Sequence, residues 1–141
     1  MSESTSQQLV VFSLGAEEYA LPIGAVHEII RFTEPRSVAS EVAWIRGVIG
    51  LRGKIIPIFD LAARMGLAPS EPGKIVIVSS GTGQVGVMVD EVEEVLTVSS
   101  DQLEEVPTAN SDSIEAIAKI DDRLVILLDP EGIFAGAELA A

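Results

Sequence analysis

Apolar residues in this chain come in short alternating runs of four to six positions, punctuated by glycine and charged pairs. That is the period of strands, not helices. Leu9 to Leu14 and Glu18 to Ile23 flank Gly15-Ala16-Glu17, and Ile75 to Ser80 and Gln84 to Val89 flank Gly81-Thr82-Gly83. Both read as hairpins with glycine available for a positive φ, and their β-branched content favours strands. Val26 to Ile30 and Val92 to Leu96 follow. Their i, i+3, i+4 spacing admits one helical turn as well as a strand, and five residues do not decide between them. A further hairpin runs from Ile45 to Leu61, IRGVIGLRGKIIPIFDL, with Arg52-Gly53 at its tip. Asp60 to Met65 reads as a short helix capped by Asp60 and ended by Gly66. Residues 1–7 and 136–141 read as tails.

The pattern occurs twice. Leu9 to Ile30 aligns without a gap onto Ile75 to Leu96 at a shift of 66, with Val10/Val76, Ser13/Ser79, Gly15/Gly81 and Glu28/Glu94 identical. Tyr19/Val85, Leu21/Val87, Ile23/Val89, Val26/Val92, Ile29/Val95 and Ile30/Leu96 keep their apolar character. Ile45 to Leu61 meets Ile114 to Pro130 at a shift of 69, pairing Asp60 with Asp129 and Arg52-Gly53 with Asp121-Asp122. The chain is therefore a tandem duplication of a unit of about 65–70 residues. Such a unit is marginal alone, so the halves, roughly 8–70 and 71–135, are expected to pack into one domain spanning 8–135. The fold class expected is mainly β: two packed five-stranded barrels with short helices.

Bulk composition narrows the function. The chain has 141 residues, is 48% hydrophobic and contains no cysteine, which excludes disulfides and thiolate chemistry. No apolar run approaches the ~20 residues of a membrane span, and the N-terminus has no signal-like core, so a cytoplasmic protein without membrane insertion is expected. Net charge is −13 and falls mostly after residue 70, whereas Arg31, Arg36, Arg46, Arg52 and Lys54 cluster before it. This balance argues against nucleic acid, which needs neutralised phosphates.

Nothing in the sequence assembles catalysis or metal binding. His27 is the only histidine and has no nucleophile or carboxylate constellation around it. Asp60 and Asp129 sit at equivalent strand ends, where capping explains them better than acid–base work. GTGQVG at Gly81 to Gly86 lies inside a hairpin without a P-loop lysine, and DEVEE at Asp90 to Glu94 lacks EF-hand spacing. No catalytic residue, cofactor or metal is expected. By alternation Ile45, Gly47, Ile49 and Leu51 share one face of the strand, and Arg46, Val48, Gly50 and Arg52 the other. Gly47 and Gly50 leave the backbone open to a close approach, and Pro57 places its strand at an edge or turns its nitrogen outward. A solvated hairpin tip is the plain alternative for Arg52.

At these residues the chain resembles the CheW family of chemotaxis coupling proteins. RGVIGLRGKIIPIFDL is similar to its G-x-I-N-L-R-G-x-I-x-P-V-x-D-L signature, with Gly50 where the family usually has asparagine. YALPIGAVHEII resembles its strand-then-V-x-E-I segment, and VGVMVDEVEEVLTV its V-G-x-x-V-D-x-V-x-x-V-L-x-V segment; the match covers roughly residues 8–134. The resemblance implies two packed five-stranded SH3-like barrels and no enzymatic activity. It also implies an adaptor that joins the cytoplasmic tips of chemoreceptors to a CheA-type histidine kinase through the kinase's own CheW-like domain. Partner-binding residues implied are Arg52, Gly53 and Gly47, Val26 and Glu28, with Arg46 on the face of Arg52. A barrel holding a small hydrophobic ligand is the alternative from another class. Scarce aromatics (4%) and short strands argue for self-filled interiors instead.

Overall fold

The structure, a computed structural model, is described for residues 6–39, 43–68, 71–80, 83–105 and 114–134. The first repeat contributes β1 (Ser6–Leu14), β2 (Glu17–Pro22), β3 (Val26–Arg31), β4 (Ile45–Leu51), β5 (Lys54–Asp60) and helix α1 (Leu61–Arg64). The second contributes β6 (Lys74–Ser80), β7 (Gly83–Val89), β8 (Glu91–Ser99), β9 (Leu103–Glu104), β10 (Ile114–Ile120), β11 (Arg123–Leu128) and α2 (Pro130–Phe134). The segments of open assignment, Val26 to Ile30 and Val92 to Leu96, are strands. Ser6 and Gln7, expected within an N-terminal tail, pair with Ser99 and Val98 in β1, and residues 1–5 lie outside the described residues. Residues 136–141 lie outside the described residues.

The strands form a six-stranded sheet, ordered β8-β1-β2-β11-β10-β9, and a five-stranded sheet, ordered β3-β6-β7-β5-β4. Mapping each strand onto its repeat partner turns β8-β1-β2-β11-β10 into β3-β6-β7-β5-β4, so the duplication is written into the hydrogen bonding. The sheets are nevertheless not the two halves 8–70 and 71–135. Each repeat divides after its second strand: its first hairpin, β1-β2 or β6-β7, lies in the sheet built from the later strands of the other repeat, so that β3 lies antiparallel on β6 and β8 on β1. The physical reason is chain length. Only the short segment Ile23–Ala25, a 3-10 turn, separates β2 from β3, too little for a return to its own sheet's far edge.

Both copies also carry the same bulges. The β3–β6 ladder shifts register between Val26 and Glu28, leaving His27 unpaired; the β8–β1 ladder leaves the equivalent Glu93 unpaired. Arg46 in β4 and Glu115 in β10 are skipped in the same way. An inserted residue bends the strand and sharpens its twist. The chain leaving each edge strand then reaches the opposite edge. Arg36, just beyond β3, exchanges two backbone hydrogen bonds with Val48 of β4 at 2.8 and 2.9 Å. In the other sheet β9, just beyond β8, pairs with β10.

Three packed layers result. Ile49, Ile56, Ile58, Ile75, Ile77 and Met88 fill the hollow of the five-stranded sheet, and Leu9, Val11, Ala118, Val125 and Leu127 that of the six-stranded one. Between the sheets lies a shared core of Phe12, Tyr19, Leu21, Phe59, Val76, Val87, Leu128, Ile133 and others. Strands such as β6 are therefore buried on both faces, with Ile75 and Ile77 on one and Val76 and Val78 on the other. Each such side chain contributes about 1.5–3 kcal/mol by leaving water. Side chains of the chain itself occupy both hollows, which gives no support to the hydrophobic ligand of the alternative reading.

Pro57 is not on an edge strand, since β5 lies between β4 and β7. Its partner Val48 spends both backbone groups on Arg36, so the Val48–Pro57 pair exchanges no hydrogen bonds. The proline nitrogen thus faces away from β4, and the β7 ladder begins only at Ile58. A missing N–H costs nothing there. Gly47 is explained by the same bridge: it is buried, has φ 150°, and a Cβ on it would collide with the Arg36 carbonyl.

Two outcomes are expected. Because each sheet takes a strand from both repeats, fragments 1–70 and 71–141 made separately should show no cooperative urea transition; a sigmoidal transition from either would refute the exchange. Gly47→Ala should lose about 1–3 kcal/mol in the same assay on the intact chain, the cost of displacing the Arg36 backbone.

Candidate functional site

The tip of the β4–β5 hairpin is the part of the molecule where side-chain choice departs from backbone need. Arg52 has φ 52° and Gly53 φ 80°. A non-glycine residue in the left-handed region is uncommon, and asparagine or aspartate tolerates it better than arginine. The equivalent tip between β10 and β11 has what the backbone favours, Asp121 at φ 54°. Two turns that share a left-handed first residue thus hold opposite charges there, and Arg52 stands in a conformation that gains nothing from being arginine.

What Arg52 does within the chain is bind Glu28. Its Nε and Nη2 donate to the two carboxylate oxygens at 3.0 Å each, a bidentate pair. Glu28 lies on β3 and Arg52 beside β4, the opposite edges of the five-stranded sheet, so the pair spans its open end. The hydrogen bonds from Arg52 hold the Glu28 carboxyl below its ordinary value, outweighing desolvation, with the charges of Arg52 and His27 adding to them. Arg52 remains 72% exposed and Glu28 21%. Exposed pairs of this kind add little to stability. The guanidinium is therefore oriented but still open to solvent on one side.

The other expected residues fall as follows. Gly53 completes the turn and is exposed, with open space where a Cβ would be. Gly47 is buried, and the backbone that approaches it closely is the chain's own at Arg36. Val26 is half-buried against the shared core. Arg46, exposed, pairs with Asp60 at 3.4 Å. Asp60 also caps α1 by accepting from the Ala63 N–H at 3.1 Å, and Asp129 accepts from the Glu131 N–H at 3.1 Å, so both serve as caps. His27 is exposed at its bulge.

Sequence reasoning missed two apolar members of this surface. Ile55 is 77% exposed and Ile29 40%. Ile55 lies opposite Gly50 on the strand face that continues through Pro57 to buried Phe59, and Ile29 lies opposite Val76. Phe59 and Val76 belong to the core between the sheets, so both isoleucines sit on its open margin. Their repeat partners, Leu124 and Val95, are exposed as well, at 59% and 51%. The duplication itself was the available signal, since each pair had matched in the alignment.

The second repeat closes its sheet differently. Arg123 pairs with Glu18 through two bonds of 3.1 and 3.0 Å, and its Nη2 meets Glu94, the partner of Glu28 in the repeat, at 2.9 Å. Where Arg46 faces Asp60, Glu115 stands near Asp129, and burial followed by the Asp129 charge raises the Glu115 carboxyl. Among the described residues no group of three or more histidine or acidic side chains could hold a metal, and no helix is long and apolar enough to cross a membrane.

Two interlocked sheets with filled interiors, and an oriented arginine on an exposed tip beside apolar residues, define a protein-binding module. Comparison with known proteins agrees. A family model described as the CheW-like domain matches residues 8–138, and the chain belongs to that family of non-enzymatic chemotaxis coupling adaptors. It is 33% identical to a probable chemotaxis protein CheW of Rhizobium etli, over 96% of this chain and 92% of that one. To the chemotaxis protein CheW of Klebsiella aerogenes it is 31% identical, over 98% and 87%. The crystal structure of the scaffolding protein TtCheW from Thermoanaerobacter tengcongensis superposes with a TM-score of 0.86 at 33% identity, covering 93% and 94%.

The pair makes a prediction. Arg52→Gln should return the Glu28 carboxyl, followed by NMR titration, to the ordinary glutamate range. The sign follows from the depressed value: any stabilisation by the charged pair is full above the unfolded-state pKa and fades as pH falls through the folded one. Thermal melting at neutral pH should barely move. An unchanged Glu28 titration would show that the pair is not formed in solution.

Proposed function

We propose that this adaptor joins the cytoplasmic tips of chemoreceptors to a CheA-type histidine kinase, in the cytoplasm at membrane-associated receptor arrays. The observation that carries the reading is the exposed Arg52, oriented by Glu28 and bordered by exposed Ile29 and Ile55 on the margin between the sheets. A helical hairpin with an apolar stripe edged by charge suits such a margin: the isoleucines supply burial and the guanidinium a directed hydrogen bond. The partner-binding residues are Arg52 and Gly53 at the tip, Val26 and Glu28 on β3, and Arg46 at the foot of the hairpin. Gly47 contributes by letting the Arg36 strand seat against β4.

Each sheet is read as a small SH3-like barrel, supported by the chain from each edge strand bonding to the opposite edge. Barrels of this kind offer a similar kinase domain a partner of like shape. Individual contacts of modest area are weak, and arrays add them by multivalency.

Arg52→Glu should fold as the parent does, since the equivalent tip already carries an acid in the same conformation. It should lose most receptor-dependent kinase stimulation in a mixture reconstituted from receptor, kinase and adaptor. Full stimulation with this variant would overturn the assignment of Arg52.

A further inference from the structure

His27, the only histidine of the chain, stands on the partner-binding strand without a role so far, and the bulge in β3 decides where it points. Val26 lies opposite Val78 and Glu28 opposite Ile77, consecutive residues of β6, so His27 is the extra residue between them. Without it Val26 and Glu28 would share a face. With it Val26 packs against the core between the sheets, while Glu28 falls on the side of Ile77, which belongs to the hollow. Counted back from Glu28, His27 shares a side with Ile29, which lies opposite Val76 of the shared core. Both are exposed. The insertion thus adds a histidine to the margin between the sheets, one residue from the Glu28–Arg52 pair.

The charged groups about it are few. The Glu28 carboxyl is held low first by the hydrogen bonds from Arg52 and, more weakly, by the charge of His27. Arg31 lies further along β3 on the same side, opposite Lys74 of β6. The β6 residues alongside, Ile77 and Val78, and the preceding turn Ile23–Ala25 carry no charge.

We propose that His27 makes docking on this margin pH-dependent, its imidazolium form strengthening the hold on a helical hairpin with an acidic edge. Histidine changes charge between about pH 5 and 8, whereas Glu28, held low, and Arg52, held high, keep theirs there. The neutral ring donates through one nitrogen and the cation through both. A partner edge that accepts from the Arg52 guanidinium gains a second donor beside it, on a chain whose net charge of −13 otherwise repels acids. The proposal rests on the reading of this margin as the receptor-docking surface.

Calorimetric titration of the full chain with a purified cytoplasmic fragment of a chemoreceptor tests it. The parent should bind about two- to fivefold more tightly at about pH 6 than at about pH 8, the scale of one exposed charge. Binding near pH 6.5 should also take up protons, read from buffers of different ionisation enthalpy, since the coupling is reciprocal (about one exchanging group). His27→Gln should bind at both pH values as the parent does at the higher, with no proton uptake. His27→Lys should bind at both as the parent does at the lower. The site is an exposed bulge, so both variants should melt as the parent does. Equal binding by the parent at the two pH values overturns the proposal, as does a pH difference that survives in His27→Gln. A parent that binds at neither pH refutes the margin itself as the docking surface, and this proposal with it.

Discussion

The reciprocal exchange of the first hairpins, β1-β2 and β6-β7, is the constraint on which the rest of this molecule depends. With β3 on β6 and β8 on β1, neither repeat can complete its sheet without the other. Strands from both repeats then turn one face into a sheet's own hollow and the other into the shared core. A unit of this size buries too little surface to stand alone, and the exchange overcomes that limit by covalent interlock as well as by packing. It also sets where function can be. With both faces of the central strands occupied, only hairpin tips, strand edges and the margin between the sheets remain for partners.

Within that frame the two hairpin tips act as an internal comparison. The backbone at both first loop positions is left-handed, and the structure shows an aspartate meeting that need in one place and an arginine in the other. The arginine cannot be ascribed to the turn. It also cannot be ascribed to holding the sheet closed by one particular pair, because the second sheet closes with Arg123, placed two residues further on and gripping Glu18 as well as Glu94. What is common to both ends is a glutamate of the edge strand, β3 or β8, meeting a guanidinium from the hairpin. What differs is how much of that guanidinium stays in water: Arg52 is well exposed and Arg123 half as much. A cation that is oriented yet open suits recognition, and one gripped from two sides suits closure.

Periodicity and duplication made much of this legible in the sequence. The hairpins at β1–β2, β6–β7 and β4–β5, the Asp60 cap and the equivalence of the tips follow from alternation, glycine placement and self-alignment. Where the reading fell short, each miss has a local cause. Val26 to Ile30 looked partly helical because burial alternates along β3 but residue type does not: Glu28 takes a half-buried position and Ile29 an exposed one, so the apolar residues fall at i, i+3 and i+4. Pro57 left an edge strand and an outward-facing nitrogen both open, and the second holds, because an isolated strand does not reveal that Val48 bonds to Arg36 instead. The exchange itself was invisible because alternation reports which face a residue occupies and not which strand lies beside it. The Glu28–Arg52 pair was hidden for the same reason: both residues were singled out, but only curvature brings opposite sheet edges together.

The exposed pairs Ile29/Val95 and Ile55/Leu124 extend the argument from fold to surface. Water-facing hydrophobics scattered singly need no explanation. Here two such positions are exposed in both repeats, although the charges around them have diverged. Had the exposure been accidental, the acidic half, with its excess of carboxylates, offered every opportunity to replace Leu124 and Val95 by polar residues. Instead the charge at the tip changed and the apolar residue beside it stayed. That separation is what a binding surface requires, because burial supplies affinity that is indifferent to the partner's identity, and the charged rim supplies the discrimination. The duplicated fold thus presents two hairpin tips, each with an exposed apolar residue beside it and opposite charge at the first loop position, with Arg52 and Asp121 the clearest contrast between them.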